Sequence, residues 1–478
     1  MTWLLTIEAR DPDNQPVTLQ YSDGAYDAPD DTLYLPRMRQ PGLYQSGLYA
    51  GEIVSVERSG IGETVLINSD GALDVLADYA VDGRAVVLSR TSESGVIEVL
   101  RGTATGLSWR RGEVALSLRA PQALLQRAHI HETYDGTNVL PAGLEGTADD
   151  IKGQVKPRVY GDVRNARPVL INTARLIYQI SSRDDCEVAA VWDRGAPLER
   201  GDACASLDDL QLNEPPAGMY RCWRGFIRLG ASPAGVVTVD AHTAESDISA
   251  VITAICAEAG QVCDVSHLAG VGAVGLYVTD AESTAALLDR LVVAGCYWRI
   301  DALGVLQAAP LSIPASPSVT LDDHEILSLD RRATGASSDG LPIWRVTVRA
   351  DRIESTTDEA SGVVDSARRA RLSRQYREAV AERPAVLERH PMAGELVIDS
   401  CLRSLDDAQI EAERIIDLVS VRRDRVTLEG QMTAHVLDIG SGVSVRTHRL
   451  GYINARAFIV LGQQINARTG KATLELWG

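Results

Sequence analysis

The chain has 478 residues, of which 45% are hydrophobic and 23% charged, ordinary globular values that exclude a disordered, collagen-like or membrane-embedded class. Its length exceeds what one hydrophobic core organises, so the sequence predicts three or four domains of roughly 100–150 residues each. With 65 acidic and 47 basic residues the formal net charge is −18, which gives no sequence-wide attraction for nucleic acid or anionic lipid and disfavours a tight DNA-binding role.

The opening residues Met1–Arg10 carry no basic leader, and their apolar run stops at Glu8. No later stretch reaches the roughly 20 apolar residues of a membrane span, so no stable membrane insertion is expected. From here to about Ala120 short apolar runs alternate with Gly, Asp and Pro. Glu52–Glu57, Thr64–Asn68, Arg84–Ser89, Val96–Gly102 and Glu113–Arg119 read as strands, the last with Val114, Leu116 and Leu118 on one face. This is a β-sandwich or barrel domain over 1–120. Residues 121–160 hold turn formers without periodicity, including Tyr134–Gly146, and read as an ordered connector.

A second β-domain is expected over 161–244, with strands at Pro168–Asn172, Leu176–Ile180, Val188–Trp192 and Val236–Asp240. Ile248, Val251, Ile252 and Ile255 then fall on one helical face, with Ser246 and Asp247 as cap candidates and Gly260 as the stop. A second helix spans roughly Ser283–Ala294 with Leu287, Leu288 and Leu291 inward, closed by Gly295. The hairpin-like Tyr297–Leu306 completes a small α/β domain over 245–315.

Past Pro310 and Pro314 a strand is expected at Trp344–Arg349. Residues 351–379 are rich in Arg, Asp, Glu and Ser, lack an apolar stripe, and read as a flexible or partner-ordered segment. Ser404 and Asp407 cap a helix over about Leu405–Val419, with Ala408, Ala412, Ile415, Ile416 and Val419 on one face. The remainder, 424–478, reads as strands. Residues 316–350 and 380–478 therefore form a C-terminal β-barrel domain with one helix. Its ending, Ala457–Gly462 then Gly470–Trp477, echoes Val96–Gly102 and Gly112–Leu118: an apolar strand closing on Gly, a loop, then an alternating strand. The echo implies two copies of one barrel type. The fold class is thus mainly β and multi-domain (α+β), with a small α/β insertion.

The chemistry-bearing patterns are sparse. His129 and His131 share a face of an extended run beside Glu132, yet zinc needs three or four convergent ligands and no C-x-x-C or H-E-x-x-H pattern supplies the rest. Asn68-Ser-Asp70-Gly71 with Asp74 and Asp78 lacks the carboxylate spacing and terminal Glu of a calcium loop and reads as a turn into a short helix begun by Leu73 and Leu76. Gly230–Gly235 has the wrong spacing for a serine elbow, and Pro233 follows its Ser232. Cys222 and His242 have no spacing that pairs them. The seven cysteines are too scattered for a disulfide framework, so a reducing compartment is the default. No phosphate-binding Gly-rich loop appears. No catalytic, cofactor-binding or metal-binding residues and no cofactors are therefore expected, and the chain reads as no enzyme.

Three sets of passages resemble one family. They are Gly51–Val54 with Asn68–Arg84; Gly143–Gly153 with Lys156–Gly161, Leu176–Gln179 and Arg228–Gly235; and the closing Gly470–Gly478 strand. In these words the chain resembles the tail-tip hub or baseplate proteins of long flexible-tailed phages (siphophages), prophages and gene-transfer-agent-like particles. The resemblance implies a virion structural protein of the tail tip, assembled in the host cytoplasm, that continues the tail tube and releases DNA on infection. It implies tail-tube-like hub barrels, a homo-oligomer with a trimer favoured, and as partners the distal tail protein, the tape-measure protein and the central fibre, with transient contact to passing DNA. A tail-associated cell-wall-degrading enzyme and a receptor-binding module are the alternative readings.

Overall fold

The computed structural model describes residues 2–48, 58–92, 95–119, 125–137, 143–292, 296–301, 303–313, 317, 319–333, 341–431, 437–466 and 471–478. The strand expected at Glu52–Glu57, the Gly51–Val54 passage, Gly295, Pro314, Gly470 and part of the Tyr134–Gly146 loop lie outside them. The chain is mainly β, with strands from Trp3 to Trp477 and the longest helix at Leu405–Val419.

The N-terminal sheet is built from β1 (Trp3–Arg10), β2 (Pro16–Ser22), β3 (Met38–Gln40), β6 (Thr64–Ile67), β7 (Ala85–Ser92), β8 (Gly95–Arg110) and β9 (Glu113–Arg119), in the order β2-β1-β7-β8-β9-β6-β3. Two further strands, β4 (Leu43–Gly47) and β5 (Arg58–Ile61), pair with each other and leave this sheet. Alternation decides which face is buried: Leu5, Ile7, Val86, Leu88, Val114 and Leu116 point inward against Leu73 and Leu76 of the short 3₁₀ turn and Val81 just after it. The turn forms because Asn68 Oδ1 accepts from the Leu73 amide at 2.8 Å while Gly71 takes φ +72°.

The C-terminal sheet orders its strands Val319–Asp322, Gly442–Arg446, Arg456–Asn466, Lys471–Trp477, Asp424–Gly430 and Ile326–Ala333. Ranked by position in the chain this order is 1-4-5-6-3-2. Without its extra edge strand β2, the N-terminal sheet runs β1-β7-β8-β9-β6-β3, which is also 1-4-5-6-3-2. Corresponding strands pair antiparallel in both sheets except the first pair: β1 lies antiparallel to β7, whereas Val319–Asp322 lies parallel to Gly442–Arg446. The resemblance reaches the register. Strand β8 shifts between Ala104 and Gly106, opposite Leu118 and Ser117, and Arg456–Asn466 shifts between Val460 and Gly462, opposite Leu476 and Glu475. Each bulge inserts one residue ahead of a glycine and bends a long strand so that the sheet curls. Of the short echo at 96–118 and 457–476, the closing strands Glu113–Leu118 and Lys471–Leu476 fall in this register, whereas the glycine that answers Gly462 is Gly106 and not the Gly102 on which the apolar run closes.

Between these sheets in chain order comes a β-sandwich. One layer holds Arg158–Ala166, Val237–His242 and Glu187–Asp193; the other holds Ile177–Gln179, Phe226–Leu229 and Met219–Trp223. Val163, Ile180, Val191, Ile227 and Val239 fill the space between them. Gly275–Val278, from the stretch read in sequence as a separate α/β unit, extends the first layer beside Arg158–Gly161. The approach is so close that a Cβ on Gly161 would stand 2.0 Å from the Val274 carbonyl and one on Gly275 1.8 Å from that of Asp162.

The helices form where the stripes predict them. Ile248–Glu258 is capped by Asp247 Oδ1 accepting from Ala250 N at 2.9 Å, and Leu405–Val419 by Ser404 Oγ accepting from Asp406 N and Asp407 N. Their neighbours differ from the sequence reading. Leu405–Val419 belongs not to the C-terminal barrel but to a three-stranded sheet of Arg377–Glu382, Ile343–Ala350 and Gly394–Asp399, which shares one core with Ile248–Glu258 and Thr284–Val292. The described residues 341–423 are thus inserted between the second and third strands of the C-terminal sheet.

Residues 351–379, read in sequence as lacking anything to bury, are packed as a strap across the sandwich. Ile353, Val364 and Leu372 are buried, Glu354 and Ser355 donate backbone N–H groups to the carbonyls of Arg164 and Asn165, and the Arg368 guanidinium stands 3.3 Å from the Trp192 ring centre. The anchors lie too far apart in sequence to make a stripe. Val364 and Leu372 both close on Gly195.

Candidate functional site

The residues that the sequence singles out do not converge. His129 is buried while His131 and Glu132 are exposed, and Glu132 meets Arg158 at 3.7 Å. Asp70 makes a bidentate pair with Arg37, just before the strand Met38–Gln40, and this pair holds the Asp70 carboxyl far below the usual carboxylate range. Ser232 sits in an exposed loop whose Ala234 and Gly235 amides donate to Asp193 at 2.6 and 2.9 Å. Cys222 and His242 lie in opposite layers of the sandwich; burial pushes the Cys222 thiol up, and His242 is exposed beside Glu187. Among the described residues no three His, Cys, Asp or Glu side chains gather where they could hold a metal ion, and no helix is long and apolar enough to cross a membrane.

What the fold does bring together are two arginine-rich ion clusters, neither signalled by any spacing. The first centres on Glu258, the last residue of its helix. Its Oε2 accepts from Arg158 Nη1 at 2.5 Å, Tyr160 Oη at 2.7 Å and His129 Nε2 at 3.1 Å, and its Oε1 from Arg183 Nη1 at 2.7 Å. Arg183 continues to Glu245 at 2.6 Å and Asp185 at 2.7 Å, and its guanidinium lies 4.7 Å from the Tyr160 ring centre. The other nitrogen of His129 faces Thr284 Oγ1 at 3.1 Å. Burial would raise the Glu258 carboxyl, but the hydrogen bonds from His129 and Tyr160 and the charges of Arg158 and Arg183 outweigh it and hold the group at about 2. Burial and the Glu258 charge push the Tyr160 phenol up, so it stays a donor. The cluster ties the connector, the sandwich and both central helices with every charge partnered. That is a clasp.

The second cluster centres on Asp351, whose side chain is 5% exposed. Arg403 Nη2 reaches it at 3.1 Å, Arg164 Nη1 at 3.0 Å and Arg371 Nη2 at 3.3 Å, while Arg403 Nη1 also donates to the Arg352 carbonyl at 2.6 Å. Asp351 holds φ +50°, a left-handed conformation that Asp tolerates better than most side chains. Burial lowers the pKa of both Arg403 and Arg371. Three chain segments meet on this one carboxylate: the sandwich strand Arg158–Ala166, the strap, and the turn leading into Leu405–Val419.

The remaining feature is a join between the two related sheets. Strand Arg456–Asn466 has Lys471–Trp477 along one edge. Its other edge meets Gly442–Arg446 through residues 456–459 and then β4 of the N-terminal half, with Gly462 opposite Gly47 and Asn466 opposite Leu43. The N-terminal half thus donates the β4–β5 hairpin to the C-terminal sheet.

No family model matches the chain, and no curated protein matches it. Among solved structures the chain is similar to the 43 kDa tail protein of prophage MuSo2 from Shewanella oneidensis, at 11% identity and a TM-score of 0.43 over 100% of this chain and 98% of that one. It is also similar to a tail protein from Neisseria meningitidis MC58, at 10% identity and a TM-score of 0.42 over 99% of this chain and 96% of that one. A chain in the virion of a native gene transfer agent particle is similar at 15% identity and a TM-score of 0.45, over 75% of this chain and 91% of that one.

Proposed function

We propose that this chain is a structural subunit of a phage tail tip, a baseplate hub that continues the tail tube, joins the distal tail protein above to the central fibre below, and forms part of the channel through which the tape-measure protein and DNA leave. The observation that carries the reading is the repeated 1-4-5-6-3-2 strand order within one chain. Two like sheets per chain let three chains present six like wall units, which matches a threefold tip to a sixfold tube by closed cyclic symmetry. The passages that carry the sequence resemblance support it from a second direction, since Gly143–Gly153, Lys156–Gly161, Leu176–Gln179 and Arg228–Gly235 all fall in the sandwich and its entry. The net charge of −18 suits a conduit, because an acidic lining repels phosphate whereas a basic one would hold it through counterion release.

In this role the chain performs no bond-making chemistry, and its ion clusters serve cohesion. Purified protein is expected to leave peptidoglycan undegraded in a zymogram; a clearing zone abolished by one point substitution would overturn this. Sedimentation velocity over a concentration series is expected to show a monomer–trimer equilibrium, and reconstruction of the particle is expected to show three copies at the tip. A hexamer, or a monomer at every concentration, would defeat the ring.

A further inference from the structure

The two related sheets differ at one place where their correspondence says they should agree. In the C-terminal sheet, the stretch Gly462–Asn466 beyond the bulge is paired on both edges, by Lys471–Trp477 and by β4. Its counterpart in the N-terminal sheet is Gly106–Arg110, matched by the register after the bulge, Gly106 opposite Ser117 as Gly462 is opposite Glu475. One edge of Gly106–Arg110 pairs with β9. The other edge is shared with β7 only as far as Thr103, after which Ala104 exchanges backbone hydrogen bonds with Gly83 and Arg84 at 2.9 Å. Among the described residues no strand continues along that edge. Trp109 on this stretch is 40% exposed.

An unpaired edge carrying an exposed Trp is a template for strand addition, and natural folds usually blunt such edges. The same position on the related sheet shows what fills it: a strand donated by the other sheet of the pair. We propose that the Gly106–Arg110 edge receives a strand from a second copy of this chain, as Gly462–Asn466 receives β4 from its own. The contact is heterologous, edge of the N-terminal sheet on one copy to the C-terminal half of the next, so it repeats head to tail and closes when the rotation allows. By rank the donor lies in the neighbour's insertion between the second and third strands of its C-terminal sheet, because β4 and β5 occupy that interval in the N-terminal sheet. The inference rests on the duplicated-sheet reading above and deepens it by naming the surface through which copies join.

Proline scanning of the edge tests it. Successive residues of a strand aim their N–H groups at opposite edges, so of Leu107→Pro and Ser108→Pro one removes a donor from the open edge and the other removes a donor facing β9. The full-length variant altered on the open edge is expected to keep the wild-type melting temperature while its association weakens about fivefold to tenfold or more, the scale of one net hydrogen bond. The other is expected to melt lower. Trp109→Ala serves as a variant without backbone change and is expected to weaken association with unchanged melting. Hydrogen exchange of the amides at 106–110 is expected to slow on association. If wild-type chains associate while both the open-edge variant and Trp109→Ala associate equally well and the 106–110 amides stay unprotected, the edge proposal falls and the ring stands. If wild-type chains never associate, both fall.

Discussion

Replacing Asp351 by Asn is expected to cost about 3–5 kcal/mol of stability, the scale for removing one partner of a buried ion pair. Asn keeps the side-chain shape and tolerates the left-handed backbone at φ +50°, so the loss reports charge alone. The substitution leaves Arg403, whose side chain is 6% exposed, beside Arg164 and Arg371 with their shared carboxylate gone. Asp162, 3.6 Å from Arg403 Nε, recovers part of the interaction only. A double variant that also carries Arg403→Met is expected to be more stable than Asp351→Asn alone, because it removes the stranded charge. Urea unfolding of the three proteins decides it: a single variant within about 0.5 kcal/mol of wild type, the ordinary range of a surface change, would show that the cluster does not hold the strap to the sandwich.

Replacing Glu258 by Gln is expected to lower stability at pH 7 by about 2–3 kcal/mol, less than a fully sealed pair because its side chain is 28% exposed. The effect depends on pH with a definite sign. The carboxyl sits at about 2 in the fold and near about 4.3 when unfolded, so its stabilisation is complete above the unfolded value and disappears as pH falls towards 2. Wild type should therefore lose stability between pH 5 and pH 2 more steeply than Glu258→Gln, and the two curves should approach each other at the acid end, with pH limits on the order of the quoted carboxyl values. Parallel curves across that range would remove Glu258 from the clasp.

These two centres were hidden in the sequence for a physical reason. A helix such as Leu405–Val419 is legible because its cap, Ser404, and its stripe, Ala408 to Val419, are local and periodic. The partners of Glu258 come from positions 129, 158, 160 and 183, and those of Asp351 from 164, 371 and 403, so no window contains either set. His129 reads as a connector histidine until the fold brings Thr284, Tyr160 and Glu258 around it. Strands bounded by turn formers, such as Thr64–Ile67 and Val169–Asn172, are legible; the sheet to which a strand belongs is not, as Gly275–Val278 shows by joining the sandwich. The strap was opaque because Ile353, Val364 and Leu372 lie too far apart in sequence to make a stripe, and the Gly195 surface on which Val364 and Leu372 close is brought to them only by the fold. Of the repeat, only the closing alternating strand shows in register in the letters; the bulge glycine that answers Gly462 is Gly106, which the apolar run closing on Gly102 conceals.

The donated strand β4 also sets an order of events during synthesis. Residue 43 leaves the ribosome long before its partner, residue 466, from which several hundred residues separate it. Chains emerge at about 5–20 residues per second, so this edge waits on the order of tens of seconds for its mate while the N-terminal sheet can already close. Throughout that interval the β4–β5 hairpin is available to other nascent chains. Pairings of such long sequence separation are intrinsically slow. The step that completes the C-terminal sheet is therefore the natural point for chains to exchange hairpins, and polysomes carrying this message should yield swapped oligomers more readily than dilute refolding does.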